Sequence, residues 1–327
     1  MATPRQQVPS GNRKSTANCT PRLATPKGQQ PSRPAVRRAP LLPSADEKGR
    51  ADVASVREIE ITSWQEFVHH VEGLSQGLSE RPWFRGQAKA WPLRPRLLRH
   101  LRSRGLADQA TALRIEESVT VEFRKAAHLY LPTNRFIQLS EGEKQKDAAM
   151  AWWTIMRHHG APTRLLDWTM SPYVAAYFAA ESLLDDDPRR AGIVWVLDFG
   201  TLRHVMDETY APSGGPTRIT DAHMRAPGGP NDLLPVWHAM PTDRMLVQQG
   251  CFMVCRNILG DHGEIIEKVA APALTRLLIP DAVKPEFRDK LRQMNLTAHS
   301  MYGGLDGLGR HADESVARLI DQYAGSS

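Results

Sequence analysis

The sequence predicts an α+β fold, on three observations. Several long segments place apolar residues at helical spacing. A few apolar, β-branched runs are too brief for helices and read as strands. The two kinds follow one another without the strict strand–helix–strand order of a parallel α/β sheet. The 327 residues are 41% hydrophobic and 24% charged, the balance of a globular protein able to bury a sizeable core. One mixed domain is expected over residues 54–327, preceded by a tail over residues 1–53.

The tail is rich in Pro, Ser, Thr, Gln and Arg and almost without aromatics. Such a composition buries too little apolar surface to offset the entropy of ordering, so it is expected to be disordered. The domain opens with Glu58-Ile59-Glu60-Ile61, which alternates like a half-buried strand, and with Ser63-Trp64-Gln65-Glu66, a capping box ahead of a helix that turns Phe67, Val68 and Val71 inward. Trp83-Phe84-Arg85-Gly86-Gln87 reads as a strand ending in a turn. Helices are expected over about 107–130 and 145–159, the second stopped by Gly160 in the left-handed position after a helix end. Ser171 as N-cap and Pro172 as first helical residue begin a core helix, PYVAAYFAAESLL. Strands are expected at 192–199 (GIVWVLDF), 251–258 (CFMVCRNI) and 274–280 (LTRLLIP), and a helix at the end of the chain. The Gly- and Pro-rich stretch 211–230 is a long connection, either a mobile loop over a site or an insertion.

Charge divides unevenly. Residues 1–50 hold ten Lys and Arg against two acids, and the rest holds 32 against 34. The domain is therefore not an evident polyanion binder, while the basic tail is suited to weak, salt-sensitive contact with nucleic acid. Three scattered cysteines, Cys19, Cys251 and Cys255, do not make a disulfide framework and are expected to be free thiols of a cytoplasmic protein. No membrane partner is expected, since no apolar run reaches the roughly 18 residues of a span.

The chemistry concentrates in residues 158–181, where His158, His159, Arg164, Asp167 and Trp168 crowd directly ahead of the core helix. Arg164 and Asp167, three apart, make a candidate pair. Pro162 stiffens the turn, Thr163, Thr169 and Ser171 add hydroxyls, and the amides that open the following helix make, beside an arginine, an anion site suited to phosphate. Arg85 admits two readings: a guanidinium forked onto phosphate, carboxylate or ribose oxygens, or one pairing a core acid. Adjacent His158 and His159 cannot both face one ion from a helix, and Cys251 and Cys255 have no further ligands nearby, so no metal is expected. There is no G-x-S-x-G elbow, no phosphate-binding G-x-x-x-x-G-K-[ST] loop and no strand-linked G-x-G-x-x-G.

Three stretches together resemble the FRG domain family: Trp83 to Gln87, His159 to Thr169 leading into Ala175-Ala176-Tyr177-Phe178-Ala179, and Arg244 to Phe252, with Leu305-Asp306-Gly307-Leu308 similar to the family's closing signature. The likeness spans about residues 60–315. More distantly, the chain resembles ADP-ribosyltransferases of the Arg-Ser-Glu type, in which an aromatic-Arg-Gly strand, a Ser/Thr motif before a helix and a late glutamate occur in this order; that fold is a split sheet with surrounding helices. The third element departs, since Val247-Gln248-Gln249-Gly250 holds no glutamate.

That second resemblance implies NAD as substrate, with ADP-ribosyl transfer or hydrolysis of the cofactor, in a bacterial toxin or anti-phage effector. It puts Arg85 on the diphosphate or ribose, His159 and Thr169 on the nicotinamide ribose, Gln249 on ribose, and Asp167, or else Glu181, in the place of the missing charge. Gly86, Gln87, Arg164 and Ser171 complete the implied cofactor set, and 211–230 becomes a lid or target-recognition segment. The implied partners are a nucleotide-like small molecule and an unnamed macromolecular acceptor. Two other classes stay open: a non-catalytic nucleotide or nucleic-acid binding module, and a purely structural network of Arg85, Arg164 and Asp167.

Overall fold

The computed structural model describes residues 55–74, 80–132, 148–181, 191–210, 221–237 and 243–324. The expected tail, and residues 211–220 of the long connection, lie outside them. Residues Asp52–Ser327 make one compact unit. Its described strands are β1 (Arg57–Glu60), β2 (Trp83–Gln87), β3 (Leu166–Thr169), β4 (Gly192–Leu197), β5 (Leu233–Val236), β6 (Gly250–Cys255) and β7 (Leu274–Ile279). The helices are α1 (Trp64–Leu74), α2 (Arg96–Ser103), α3 (Gln109–Ala127), α4 (Ala148–His158), α5 (Pro172–Ala180), α6 (Phe199–Tyr210), α7 (Asp221–Arg225), α8 (Asp243–Val247), α9 (His262–Ala270), α10 (Lys284–Gln293), α11 (Ala298–Tyr302) and α12 (Gly304–Ala324). The fold is α+β, as the pattern predicts. Among the described residues no helix is long and apolar enough to cross a membrane.

The strands form a single sheet in the order β1-β7-β4-β2-β3-β6-β5. Only β1 and β7 run parallel; the other pairs are antiparallel. Central strand β4 is buried along its whole length, with Ile193, Trp195 and Leu197 in one core cluster and Val194 and Val196 in the other. This is the period-two alternation of a strand covered on both faces. One core holds residues of α6 and α9; the other holds residues of α1, α5 and α10.

Helix α5 lies unusually close to the sheet. Ala175, Ala176, Ala179 and Ala180 are fully buried, and a Cβ on Gly86 of β2 would stand 1.8 Å from the Ala175 carbonyl oxygen, one on Gly192 of β4 2.0 Å from that of Ala179. Glycine below and alanine above are thus demanded by the contact. Ser171 caps α5 by accepting from Val174 N at 3.3 Å, with Pro172 at its first position, and Gly160 leaves α4 at φ 79°, both as expected. The capping box of α1 is half formed: Glu66 N donates to Ser63 Oγ at 3.2 Å, but the Glu66 carboxylate reaches the Thr62 amide and hydroxyl instead. In the long connection, 221–225 is helical. Strands β3 and β5 have no counterpart in the expected elements.

Candidate functional site

Strands β2 and β3 share a single register pair, Phe84↔Thr169. Continued, the register would set Gly86 against Asp167, but the strands part there. The Arg85 guanidinium fills the opening: Nη1 donates to the Asp167 backbone oxygen at 2.7 Å and to its Oδ2 at 3.3 Å. From the last turn of α4, Arg157 Nε donates to Asp167 Oδ1 at 2.8 Å and Oδ2 at 3.0 Å, and its Nη2 also reaches Oδ2. One carboxylate is thereby held between two guanidiniums at the floor of a cleft of about 1740 Å3.

Burial alone would raise the Asp167 carboxyl, but Arg157 and Arg85 overcome it and hold it well below the usual carboxylate range. Burial pulls Arg85 down to about 10, against the Asp167 charge, while that charge raises Arg157. The Asp167 charge also favours the charged forms of Arg99 of α2 and Arg244 of α8, but both are lowered, mainly by loss of solvent and then, for Arg99, by Arg157 and Arg96. On another wall, Tyr302 lies between two guanidiniums, Arg244 at 4.6 Å and Arg310 at 4.4 Å from its ring centre. Asp243 and Asp306, on the rim, are exposed.

Three of the expected catalytic residues come together here: Arg85, Asp167 and the exposed His159, whose ring centre stands 4.8 Å from that of His158, all line the cleft. Gln249 does not line it. It sits in a turn at φ 47°, and its neighbour Gln248 faces the cleft, donating Nε2 to Met301 O at 3.0 Å. Of the expected binding set, Gly86 and Thr169 border the cleft. Thr169 is a brace: its hydroxyl donates to Gln248 O at 2.6 Å and accepts from Ser171 N at 3.0 Å. Gln87 lies outside the cleft lining and accepts from Trp195 Nε1 at 2.6 Å. Ser171 is committed to capping, so the Val174 amide is not left for an anion.

Arg164 needs the largest correction. It is 2% exposed and lies outside the cleft, its fork bound to the buried Glu116, Nη1 donating to Met224 O at 3.1 Å and Arg256 O at 3.2 Å, its plane 4.9 Å from the Trp153 ring centre. The expected Arg164–Asp167 pair does not form, because the spacing of three that joins side chains on a helix puts them on opposite sides of extended chain. Arg157 takes that place. A basic residue in the last turn of a helix is ordinary, so the sequence carried no signal for it beyond its nearness to the knot. Cys251 and Cys255 are free and buried, and burial pushes both thiols up to about 12. Among the described residues no three His, Cys, Asp or Glu side chains gather as a metal site would require.

The fold and the cleft define an α+β domain with an arginine-held carboxylate at its floor. Residues 80–188 match the family model of the FRG domain, a span that includes both Arg85 and Asp167. Comparison with curated proteins and with solved structures finds no match.

Proposed function

We propose that the cleft binds an anionic, nucleotide-type ligand through its phosphates. One observation carries this reading: the guanidiniums of Arg85 and Arg157 meet on the carboxylate of Asp167, and those of Arg244 and Arg310 line the same cleft. These four guanidiniums outnumber the three carboxylates of the lining, Asp167 at the floor and Asp243 and Asp306 on the rim, and a partly enclosed cationic cleft attracts phosphate more strongly than an open surface does. The forks of Arg85 and Arg157 set the floor, and Arg244 and Arg310, stacked on Tyr302, offer a second contact for a diphosphate or a base.

A second reading keeps NAD as a substrate, cleaved at its nicotinamide bond, and is favoured by the ionised Asp167 at the cleft floor. Its weakness is electrostatic. Stabilising a developing cation needs net negative charge, and here Arg157 and Arg85 neutralise the only carboxylate they touch among the described residues. The Asp167→Asn variant separates the two. Calorimetric titration of the full chain with ADP, ADP-ribose and NAD is expected to show binding that Arg157→Ala weakens at least tenfold and Asp167→Asn strengthens, with no nicotinamide release. Nicotinamide release by the parent chain that Asp167→Asn abolishes would establish turnover instead. No binding of any of the three sinks both.

A further inference from the structure

Residues 81–107 hold eight Lys and Arg and no acidic residue. The segment contains β2, which supplies Arg85, and α2. Helix α2 buries Leu97, Leu98 and Leu101, at 3, 1 and 4% exposure, and turns Arg96, Arg99 and His100 to solvent, with Arg104 exposed at the residue that follows it. This positive face is continuous with the cleft, because Arg96 Nη1 donates to the Gly160 carbonyl on the cleft edge. The guanidiniums of Arg102 are drawn aside by Asp261 and Glu264, but those of Arg99 and Arg104 have no side-chain or carbonyl partner among the described residues.

Two further features bear on what such a track receives. The cleft volume of about 1740 Å3 exceeds the roughly 300–1,000 Å3 of small-molecule pockets. Tyr130, 83% exposed, stands in its lining, where a bare aromatic face suits an unpaired base.

We infer that the ligand is a strand rather than a lone nucleotide: a single-stranded nucleic acid whose backbone runs along the outer face of α2 and whose end or one nucleotide enters the cleft. The inference rests on the phosphate-binding reading of the cleft. Guanidiniums spaced along a groove with an exposed aromatic are the elements of sequence-tolerant single-strand binding. An anionic membrane fits less well, because every leucine of α2 faces inward and the charge leads into a concavity. An acidic peptide would leave Tyr130 without a role.

The test compares ADP with a fluorescent twelve-nucleotide oligothymidylate on the full chain, as parent, as Arg157→Ala, and as the surface double variant His100→Glu, Arg104→Glu. The oligonucleotide is expected to bind more tightly than ADP and to weaken steeply with salt. The surface variant should lower its affinity by at least about 5-fold at 0.1 M salt, the loss of one phosphate contact at a single-strand slope of about 0.7 per decade, and leave ADP binding unchanged. Arg157→Ala should weaken both ligands. If ADP binds and the oligonucleotide binds no tighter, or ignores the surface variant, the strand inference is overturned while the cleft reading stands. If the oligonucleotide binds but neither it nor ADP responds to Arg157→Ala, the cleft reading falls and this inference with it. Binding of anionic vesicles or polyglutamate in place of the oligonucleotide overturns the choice of partner.

Discussion

Replacing Arg164 by Met separates structure from function within one motif. The guanidinium is 2% exposed and the Glu116 side chain 6%, so the variant leaves a carboxylate buried without its partner. Breaking a buried pair in this way costs about 3–5 kcal/mol, chiefly the stranding of the remaining charge. The Met224 and Arg256 carbonyls also lose their donor. At about 2–4 °C per kcal/mol for a domain of this size, the melting temperature should fall by roughly 6–20 °C. Scanning calorimetry measures this, and a second substitution, Glu116→Leu, should recover most of the loss because it removes the stranded charge rather than restoring the pair. ADP affinity, measured on the folded fraction at low temperature, should stay within a factor of two. An Arg164→Met chain that melts within 1 °C of the parent, or melts normally and no longer binds ADP, would refute the argument and return this arginine to the ligand.

Other perturbations test the frame around the site. Gly86→Ala places a methyl carbon 1.8 Å from the Ala175 carbonyl oxygen and should abolish cooperative melting. Gly73→Ala, on the exposed face of α1 with nothing within 4 Å, should stabilise by up to about 1 kcal/mol; both are read by thermal melts. His262 is fully buried with both ring nitrogens lacking a partner among the described residues, and burial, then Arg85, pulls it down from 6.5 to about 3. Its contribution is present in full above about pH 6.5 and is lost as pH falls from there toward 3, since the unfolded chain takes up the proton first. Denaturant titrations should therefore show His262→Leu reducing the acid slope of stability by about 1.4 kcal/mol per pH unit in that window. Thr169→Val removes a donor to Gln248 O and an acceptor for Ser171 N and should cost about 1–3 kcal/mol in urea melts.

What the sequence made legible was local. The cap and proline of α5, the alternation of β4 and the glycine after α4 each depend on neighbours in the chain, and each is found where the pattern puts it. Arg85, His159 and Asp167 share one cleft although 74 residues separate the first two. Illegible were the choices that depend on which backbone is extended. Four residues with a charge in second place give β3 no strand signature, and once Leu166–Thr169 is extended, Asp167 turns from Arg164 toward Arg157. In the same way the positive φ of Gln249 hands the cleft to Gln248. The acid-free run 81–107 was readable, but a charge balance averaged over the whole domain hides it.

The crowding of charged groups ahead of a core helix has a physical explanation in the parting of β2 and β3. Where two strands separate inside a sheet, backbone groups lose their partners, and each one left buried and unpaired is destabilising. At Asp167 the missing amide is replaced by a guanidinium, since Arg85 Nη1 occupies the place of the Gly86 N–H. A guanidinium there needs a counter-charge, which the side chain of the same aspartate supplies, and the aspartate in turn is over-balanced by Arg157. The site is therefore a repaired gap in the sheet whose repair leaves excess positive charge facing the cleft. Helix α5, pressed onto Gly86 by its alanines, fixes the strand that carries Arg85.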